Sequence, residues 1–140
     1  MIDPIEFLSQ VEIYKAHIEN LNDELIELWD IATKTTSAIK EDAIFGSGNN
    51  DKMSGYVHEI MKQEEKLKAA IKEYNEKINY IYSKISLLQS PDYIKVLYKK
   101  YFKGLKWHEI GDEMFMSERN AQLTHAYALQ ALSVILNGKN

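Results

Sequence analysis

A repeat of apolar residues between positions 57 and 88 constrains the fold of this chain more than any other feature. Ten positions keep alternating steps of three and four residues, and nine of them are apolar: Val57, Ile60, Glu64, Leu67, Ile71, Tyr74, Ile78, Ile81, Ile85 and Leu88. This spacing is typical of a helix that buries one narrow face against another helix. A helix from about Asp51 to Gln89 would be about 55–60 Å long, too long to bury itself in a compact globule. The repeat therefore predicts a long helix that needs a helical partner.

The first part of the chain has the same spacing and offers the nearest partner. The positions concerned are Tyr14, Ile18, Leu21, Leu25, Leu28 and Ala32. Asp3 is a suitable N-cap and Pro4 suits the first helical position, so this helix is predicted from about Pro4 to Thr33. Residues 34–52 contain a Thr-Thr-Ser run and a Gly-Ser-Gly-Asn-Asn run, which predict a mobile loop. Together the two helices predict an antiparallel hairpin.

The two predicted helices differ in length, which leaves part of the second repeat without a partner. A second chain or the C-terminal segment can cover it, and we expect a homodimer. The seam residues expected to make this contact are Leu67, Ile71, Tyr74, Ile78, Ile81 and Ile85. Two interpretations of Glu64 stay open: it sets the register of the helices, or it is solvated near the end of the hairpin.

A boundary is expected at Ser90-Pro91, because proline ends one helix and suits the first turn of the next. Residues 1–89 carry 10 lysines and 16 acids, whereas residues 90–140 carry seven basic and five acidic side chains. The sequence therefore predicts an acidic stalk, residues 1–89, and a weakly basic head, residues 90–140.

Three helices are expected in the head. They are about Asp92–Lys103, ended by Gly104, then about Trp107–Met114, and a third helix capped by Ser117. Phe115 and Met116 would form a tight turn before the third helix, and Gly111 would let a neighbouring helix approach closely. Two helices joined in this way are typical of a helix-turn-helix. The predicted fold is thus all-α, with a helical hairpin followed by a three-helix head.

The head sequence resembles a known DNA-binding module. The residues that carry the likeness are Pro91-Asp92-Tyr93, Val96 to Leu105, Trp107, Glu109-Ile110 and Ser117-Glu118-Arg119. They resemble the region-four-like module of sigma factors. With Asp3-Pro4 near its start and Ala128 to Leu132 near its end, the whole chain is similar to small phage and prophage transcriptional regulators, the late-gene regulators or sigma-like positive control factors.

The resemblance implies a regulator in the cytoplasm of a bacterial host that binds double-stranded promoter DNA as a dimer, with RNA polymerase as a further candidate partner. The third head helix would lie in the major groove. Its exposed side would present the base-reading residues Glu118, Arg119, Asn120 and Gln122, since arginine suits guanine and the amides suit adenine. Phosphates would be contacted by Lys95, Lys99, Lys100, Lys103, Lys106 and Ser117.

Other features favour different functions. The net charge is −4, and the third head helix has one arginine and no lysine between Ser117 and Leu136. An alternative is therefore a protein-interaction adaptor whose acidic stalk binds RNA polymerase or another regulator, with a head that does not bind DNA. A structural coiled-coil protein is a third alternative. A second apolar stripe on the same helix, Leu123, Tyr127, Ala131 and Val134, favours packing against the stalk or a partner chain.

Composition limits the remaining classes. The chain has no cysteine, which excludes disulfides, a thiol nucleophile and a Cys-based zinc site. The four histidines lack metal-ligand spacing, although His108 and His125 are candidates for a phosphate contact, and no Lys-Ser or Lys-Thr follows Gly46-Ser47-Gly48 to make a phosphate loop. No stretch approaches the ~20 apolar residues of a membrane span. We expect no enzyme activity, metal, cofactor, small-molecule substrate or membrane contact.

Overall fold

The computed structural model of the protein describes residues 1–41 and 49–138. These residues form five α-helices and one π-helical turn, and no strand occurs among them. The elements are α1 (Pro4–Glu41), α2 (Asn49–Ile85), α3 (Pro91–Leu97), the π-helical turn (Tyr98–Phe102), α4 (Trp107–Met114) and α5 (Glu118–Asn137). The prediction of an all-α protein is confirmed.

The first helix begins as predicted but ends later. The Asp3 carboxylate accepts a hydrogen bond from the backbone N–H of Ile5 at 3.0 Å, which confirms the cap. Helix α1 continues to Glu41 and α2 begins at Asn49, so the predicted loop is wrong at residues 34–41 and 49–52. Threonine and serine lower helix propensity by only tenths of a kcal/mol, and no glycine or proline lies between Pro4 and Gly46 to interrupt the helix. The rest of that loop lies outside the described residues.

The chain divides into two compact units. Unit 1 consists of Met1–Tyr14 and Tyr74–Asn140, and unit 2 consists of Lys15–Glu73. These limits differ from the predicted stalk and head, because both ends of the predicted stalk belong to the same unit as the C-terminal helices. Their apolar residues cover the core of that unit.

Unit 1 has one continuous core to which every helix contributes. Its buried residues are Phe7, Leu8, Val11, Ile81, Ile85, Leu88, Val96, Leu97, Phe102, Ile110, Ala121, Ala128 and Leu132. The N-terminus is held at the far end of α5, where the Asn137 side chain accepts from the Ile2 N–H at 2.7 Å and donates to the Ile2 carbonyl at 3.0 Å. The three C-terminal helices therefore share their core with the start of α1 and the end of α2.

The first helix of the predicted head is interrupted. Ser90 caps α3, accepting from the Tyr93 N–H at 3.4 Å, but α3 gives way to the π-helical turn after Leu97. The Lys103 N–H donates to the Tyr98 carbonyl, five residues earlier, at 3.2 Å. This wider turn buries both Leu97 and Phe102, whose spacing of five does not suit one face of an α-helix. The uninterrupted helix predicted over residues 92–103 is thus wrong in its second half.

Unit 2 contains a buried polar residue at a position that the repeat did not indicate. Gln63 is 6% exposed, and its amide donates to the Leu21 carbonyl at 3.2 Å and to the Glu24 carboxylate at 2.8 Å. Glu64, the predicted polar seam residue, is only half-buried. The polar contact between α1 and α2 in this unit is therefore made one residue earlier than the repeat predicts.

In unit 2 the apolar repeat departs from the buried face of α2 at two positions, whereas Ile60 is buried as the repeat predicts. Val57 and Ile71 are 48% and 40% exposed, while Ala70 is buried. A straight α-helix has 3.6 residues per turn, so a strict seven-residue repeat drifts around its surface by about 20° per heptad. An exact seven-residue spacing therefore does not keep every position of the repeat on one face of a straight helix. Val57 and Ile71 lie off the buried face of α2 in this unit, and Ile71 stays a predicted contact for a second chain.

Candidate nucleic-acid interface

The junction of α4 and α5 is tight and depends on Gly111. A Cβ at this buried glycine would lie 2.8 Å from the Met116 carbonyl oxygen and 3.3 Å from the Glu118 nitrogen. The Met116 N–H donates to the Gly111 carbonyl at 2.9 Å. The close approach predicted at Gly111 is confirmed, and it brings the backbone that starts α5 onto α4.

The turn itself contains an unusual residue. Phe115 has φ 57° and ψ 44°, and among the described residues it is the one non-glycine with positive φ. Its side chain is 96% exposed. The predicted turn is therefore present, with a strained backbone and a solvated aromatic ring at its centre.

Helix α5 begins with the predicted cap. The Ser117 hydroxyl oxygen accepts from the Asn120 N–H at 3.0 Å. Ala121, Ala128 and Leu132 are fully buried and form the core face of α5. This packing orients the first turn of α5 with respect to α4.

The four predicted base-reading residues are exposed together on the first turns of α5. They are Glu118, Arg119, Asn120 and Gln122. Within the described parts of the chain, Arg119 forms no salt bridge. Its guanidinium thus keeps all its donors for an external acceptor.

Leu123, predicted to belong to a packing stripe, and Ala126, which was not predicted to have a role, are both exposed on the same side of α5 as Arg119. Steps of four and seven residues from Arg119 place all three on one face, opposite Ala121 and Ala128. The helical spacing alone could have identified Leu123 and Ala126 as members of the candidate surface.

Two of the predicted phosphate-contacting lysines already have partners. Lys99 donates to the Glu113 carboxylate at 2.6 Å and is largely covered. This hydrogen bond, with the charges of Lys99 and Lys103, holds the pKa of Glu113 below its usual value. The ammonium of Lys100 lies 4.6 Å from the centre of the Trp107 ring. Both lysines stabilise unit 1, which limits their use as phosphate contacts.

The remaining cations are more accessible. Lys95, Lys103 and Lys106 are exposed, and the Lys103 ammonium lies 6.0 Å from the centre of the Tyr98 ring. At the start of α4 the Lys106 backbone N–H donates to the Glu109 carboxylate at 3.0 Å. Ser117 is exposed as well, with its oxygen engaged as the cap of α5.

His125 belongs to an aromatic cluster with Tyr101 and Trp107. It shares a hydrogen bond of 2.8 Å with the Tyr101 hydroxyl, and its ring centre lies 4.8 Å from that of Trp107. Burial, reinforced by the charge of Lys100, lowers the pKa of His125 to about 4. Burial, with the charge of Asp3, raises the pKa of Tyr101. His125 is thus neutral at physiological pH and takes part in packing within unit 1.

The residues of the predicted dimer seam do not form one exposed surface. Ile81 and Ile85 are buried in the core of unit 1, and Ile78 packs against it. Ile81 and Ile85 are therefore wrong as contacts for a second chain, because they are fully buried within this one. Leu67 and Tyr74 are half-buried, and Ile71 is exposed. On α5, the predicted packing stripe is largely uncovered, since Leu123, Tyr127 and Val134 are all exposed.

The described residues contain no group of three or more histidine, aspartate or glutamate side chains that could hold a metal ion. None of the helices described has the length and apolar character needed to cross a membrane.

Comparison of the chain with models of protein families, with curated proteins and with solved structures finds no match. The function has to be inferred from the residues and their geometry.

Proposed function

We propose that this protein is a sequence-specific DNA-binding transcriptional regulator, similar to the phage and prophage regulators with a sigma region-four-like helix-turn-helix. The observation that carries the proposal is the junction at Gly111, which sets the capped start of α5 against α4 and leaves four polar side chains in solvent. A helix held by its neighbour and polar at its exposed N-terminal turns is the arrangement by which helix-turn-helix proteins read the major groove.

In this proposal the polar residues of α5 have distinct roles. Arg119 donates to a guanine, and Asn120 or Gln122 pairs with an adenine. Glu118 accepts from a cytosine amine. Leu123 and Ala126 provide apolar contacts on the same face. Each well-formed contact to a base contributes about 1–3 kcal/mol of discrimination.

Phosphates are contacted by the accessible lysines that precede α4. Lys95, Lys103 and Lys106 are exposed in the described structure, whereas Lys99 is paired with Glu113 and Lys100 stacks on Trp107. Only a few lysines are thus available for counterion release, so the proposal implies modest affinity and a shallow dependence on salt.

We further propose that α1 and α2 form an antiparallel hairpin in unit 2 and that two such hairpins associate. Gln63 of α2 contacts Glu24 of α1. In an antiparallel pair, the residues that follow Glu24 lie beside the residues that precede Gln63. Ile26 and Trp29 would therefore lie at the same level as Val57 and Met61. These four apolar side chains are all exposed. Apolar side chains clustered at one level of a hairpin favour a contact with a second copy. A dimer would present two α5 helices to two half-sites.

The proposed function is tested by measuring the affinity of the purified protein for promoter fragments from its own genomic neighbourhood and for random duplex over a salt series. We expect Arg119→Ala to lose the preference at one base position. We expect Lys103→Ala to weaken binding to all sequences and to reduce the salt slope by about one. Equal binding of the wild-type protein to promoter and random duplex at every salt concentration would refute the function.

An adaptor function is the second candidate, favoured by the exposed apolar side chains of unit 2 and the acidic character of its α1 segment. Here the hairpin binds RNA polymerase or another regulator, and α5 binds no DNA. Titration of the protein with purified RNA polymerase separates the candidates: saturable binding that Met61→Glu abolishes, without selective DNA binding, would support the adaptor.

A further inference from the structure

The backbone conformation of Phe115 is unfavourable for a residue with a side chain. Its left-handed backbone is adopted far more easily by glycine, which has no Cβ. At the other two positions of the described chain with positive φ, Gly104 and Gly138, the sequence does have glycine. The Phe115 ring is 96% exposed, so burial of the ring does not offset the strained backbone. The turn would therefore be more stable with glycine.

The backbone of Phe115 is held at a defined place. The two residues that follow it are fixed, because the Met116 N–H donates to the Gly111 carbonyl at 2.9 Å and Ser117 caps α5 through the Asn120 N–H at 3.0 Å. Phe115 lies two residues before Ser117, the cap of α5. The first turns of α5 expose Arg119 and Asn120. An aromatic ring on a rigid turn loses little conformational entropy when it binds a partner.

We propose that Phe115 contacts DNA and places its ring against the methyl group of a thymine at the end of the sequence that α5 reads. This inference rests on the proposed DNA-binding function and adds an uncharged contact to it. Apolar contact with the thymine methyl distinguishes thymine from the other bases in the major groove. DNA is favoured over a protein partner because Arg119 and Asn120, which follow Phe115 by four and five residues and are exposed as well, have side chains suited to base edges.

The test compares wild-type protein with Phe115→Gly, both as the full chain, on the preferred promoter fragment. We expect Phe115→Gly to bind about tenfold more weakly with an unchanged salt slope, since the ring neutralises no phosphate. The same variant should melt about 3 °C higher, because the backbone strain is relieved. Weaker binding by a more stable protein cannot be attributed to unfolding. Leu87→Ala, which shortens another exposed apolar side chain, should change neither property.

The base contact is tested with fragments in which single thymines are replaced by deoxyuridine, which lacks the methyl group. Replacement of one particular thymine should weaken the binding of the wild-type protein several-fold and leave the binding of Phe115→Gly unaffected. If Phe115→Gly binds the promoter fragment as tightly as the wild type, or if no replacement matters, the contact is refuted while the proposed function stands. If the wild-type protein does not prefer the promoter fragment, both are refuted.

Discussion

His125 illustrates how a single side chain acquires its role from its surroundings. An isolated histidine at this position of the sequence could hold a proton and contact a phosphate. Packed with Tyr101 and Trp107 and facing the charge of Lys100, the imidazole is instead held in its neutral form. The unfolded chain has no such environment, so its histidine titrates near 6.5.

The pKa of His125 predicts a dependence of stability on pH. Between pH 6.5 and about 4 the unfolded chain binds a proton that the folded chain does not, so acidification destabilises the fold and the loss is complete below pH 4. We expect this histidine to account for about 2 kcal/mol, less than the full shift gives because the ring is only partly buried. Urea unfolding at pH 7 and pH 4 measures it.

The comparison that isolates this effect is between two histidine variants. His125→Gln should reduce the loss of stability on acidification, whereas His108→Gln, which alters an exposed histidine, should keep the wild-type loss. Identical pH dependence in all three proteins would show that His125 titrates normally in the folded state.

Among the helices, the starts of α1, α3 and α5 follow from local signals, whereas the contacts between helices do not. Caps at Asp3, Ser90 and Ser117 begin helices at the expected places. The contact between α1 and α2 in unit 2 includes the buried amide of Gln63 instead of Glu64. An amide that donates to both a carbonyl and a carboxylate resists sliding of the two helices, because displacement would leave it buried without partners.

The contact between α4 and α5 gives the sharpest prediction at this scale. In Gly111→Ala the added Cβ would meet the Met116 carbonyl at 2.8 Å, and backbone cannot move aside as a flexible side chain can. We expect a loss of about 2 kcal/mol in the free energy of unfolding, measured by urea denaturation, despite the better helix propensity of alanine.

Gly55 provides the matched control for this substitution. It also lies within a helix, but a Cβ there would meet nothing within 4 Å. Gly55→Ala should therefore stabilise the protein by up to about 1 kcal/mol. If both substitutions stabilise the protein, the close contact of α4 and α5 is not as described.

At the scale of the whole molecule, the proposed dimer contact can be tested by charge. Met61 is 61% exposed, so Met61→Glu should leave the folded chain intact and place two like charges at the interface of the paired hairpins. Sedimentation equilibrium should give twice the 16.3 kDa chain mass for the wild type and a single chain mass for the variant. Leu87→Glu, on an exposed residue of unit 1, should remain dimeric.

A wild-type protein that sediments as a single chain would refute the dimer, and a Met61→Glu variant that remains dimeric would move the contact elsewhere. In the first case, the exposed apolar side chains of α5 would remain available to contact another molecule. They are Leu123, Tyr127 and Val134.

Much of the candidate site follows from neighbouring residues in the sequence. The turn at Phe115, the cap at Ser117 and the buried face of Ala121 and Ala128 could be predicted because each depends on hydrogen bonds or helical spacing within a few residues. The exposure of Arg119 and its neighbours follows from that spacing as well. The roles of these residues in binding DNA remain a proposal.

The order of residues did not show which partner covers each helix face, and contacts in the folded protein do. The repeat of apolar residues could not show that Ile81 and Ile85 complete the core of unit 1 instead of a dimer seam, or that Lys99 is paired with Glu113. These outcomes depend on residues far apart in the chain, whose contacts compete for the same apolar face or the same charge. The residue order was therefore sufficient to predict the helical class and the capped starts of α1, α3 and α5, because caps form from local interactions. The late end of α1, the π-helical turn and the face of each helix that stays exposed depend on packing in the folded protein.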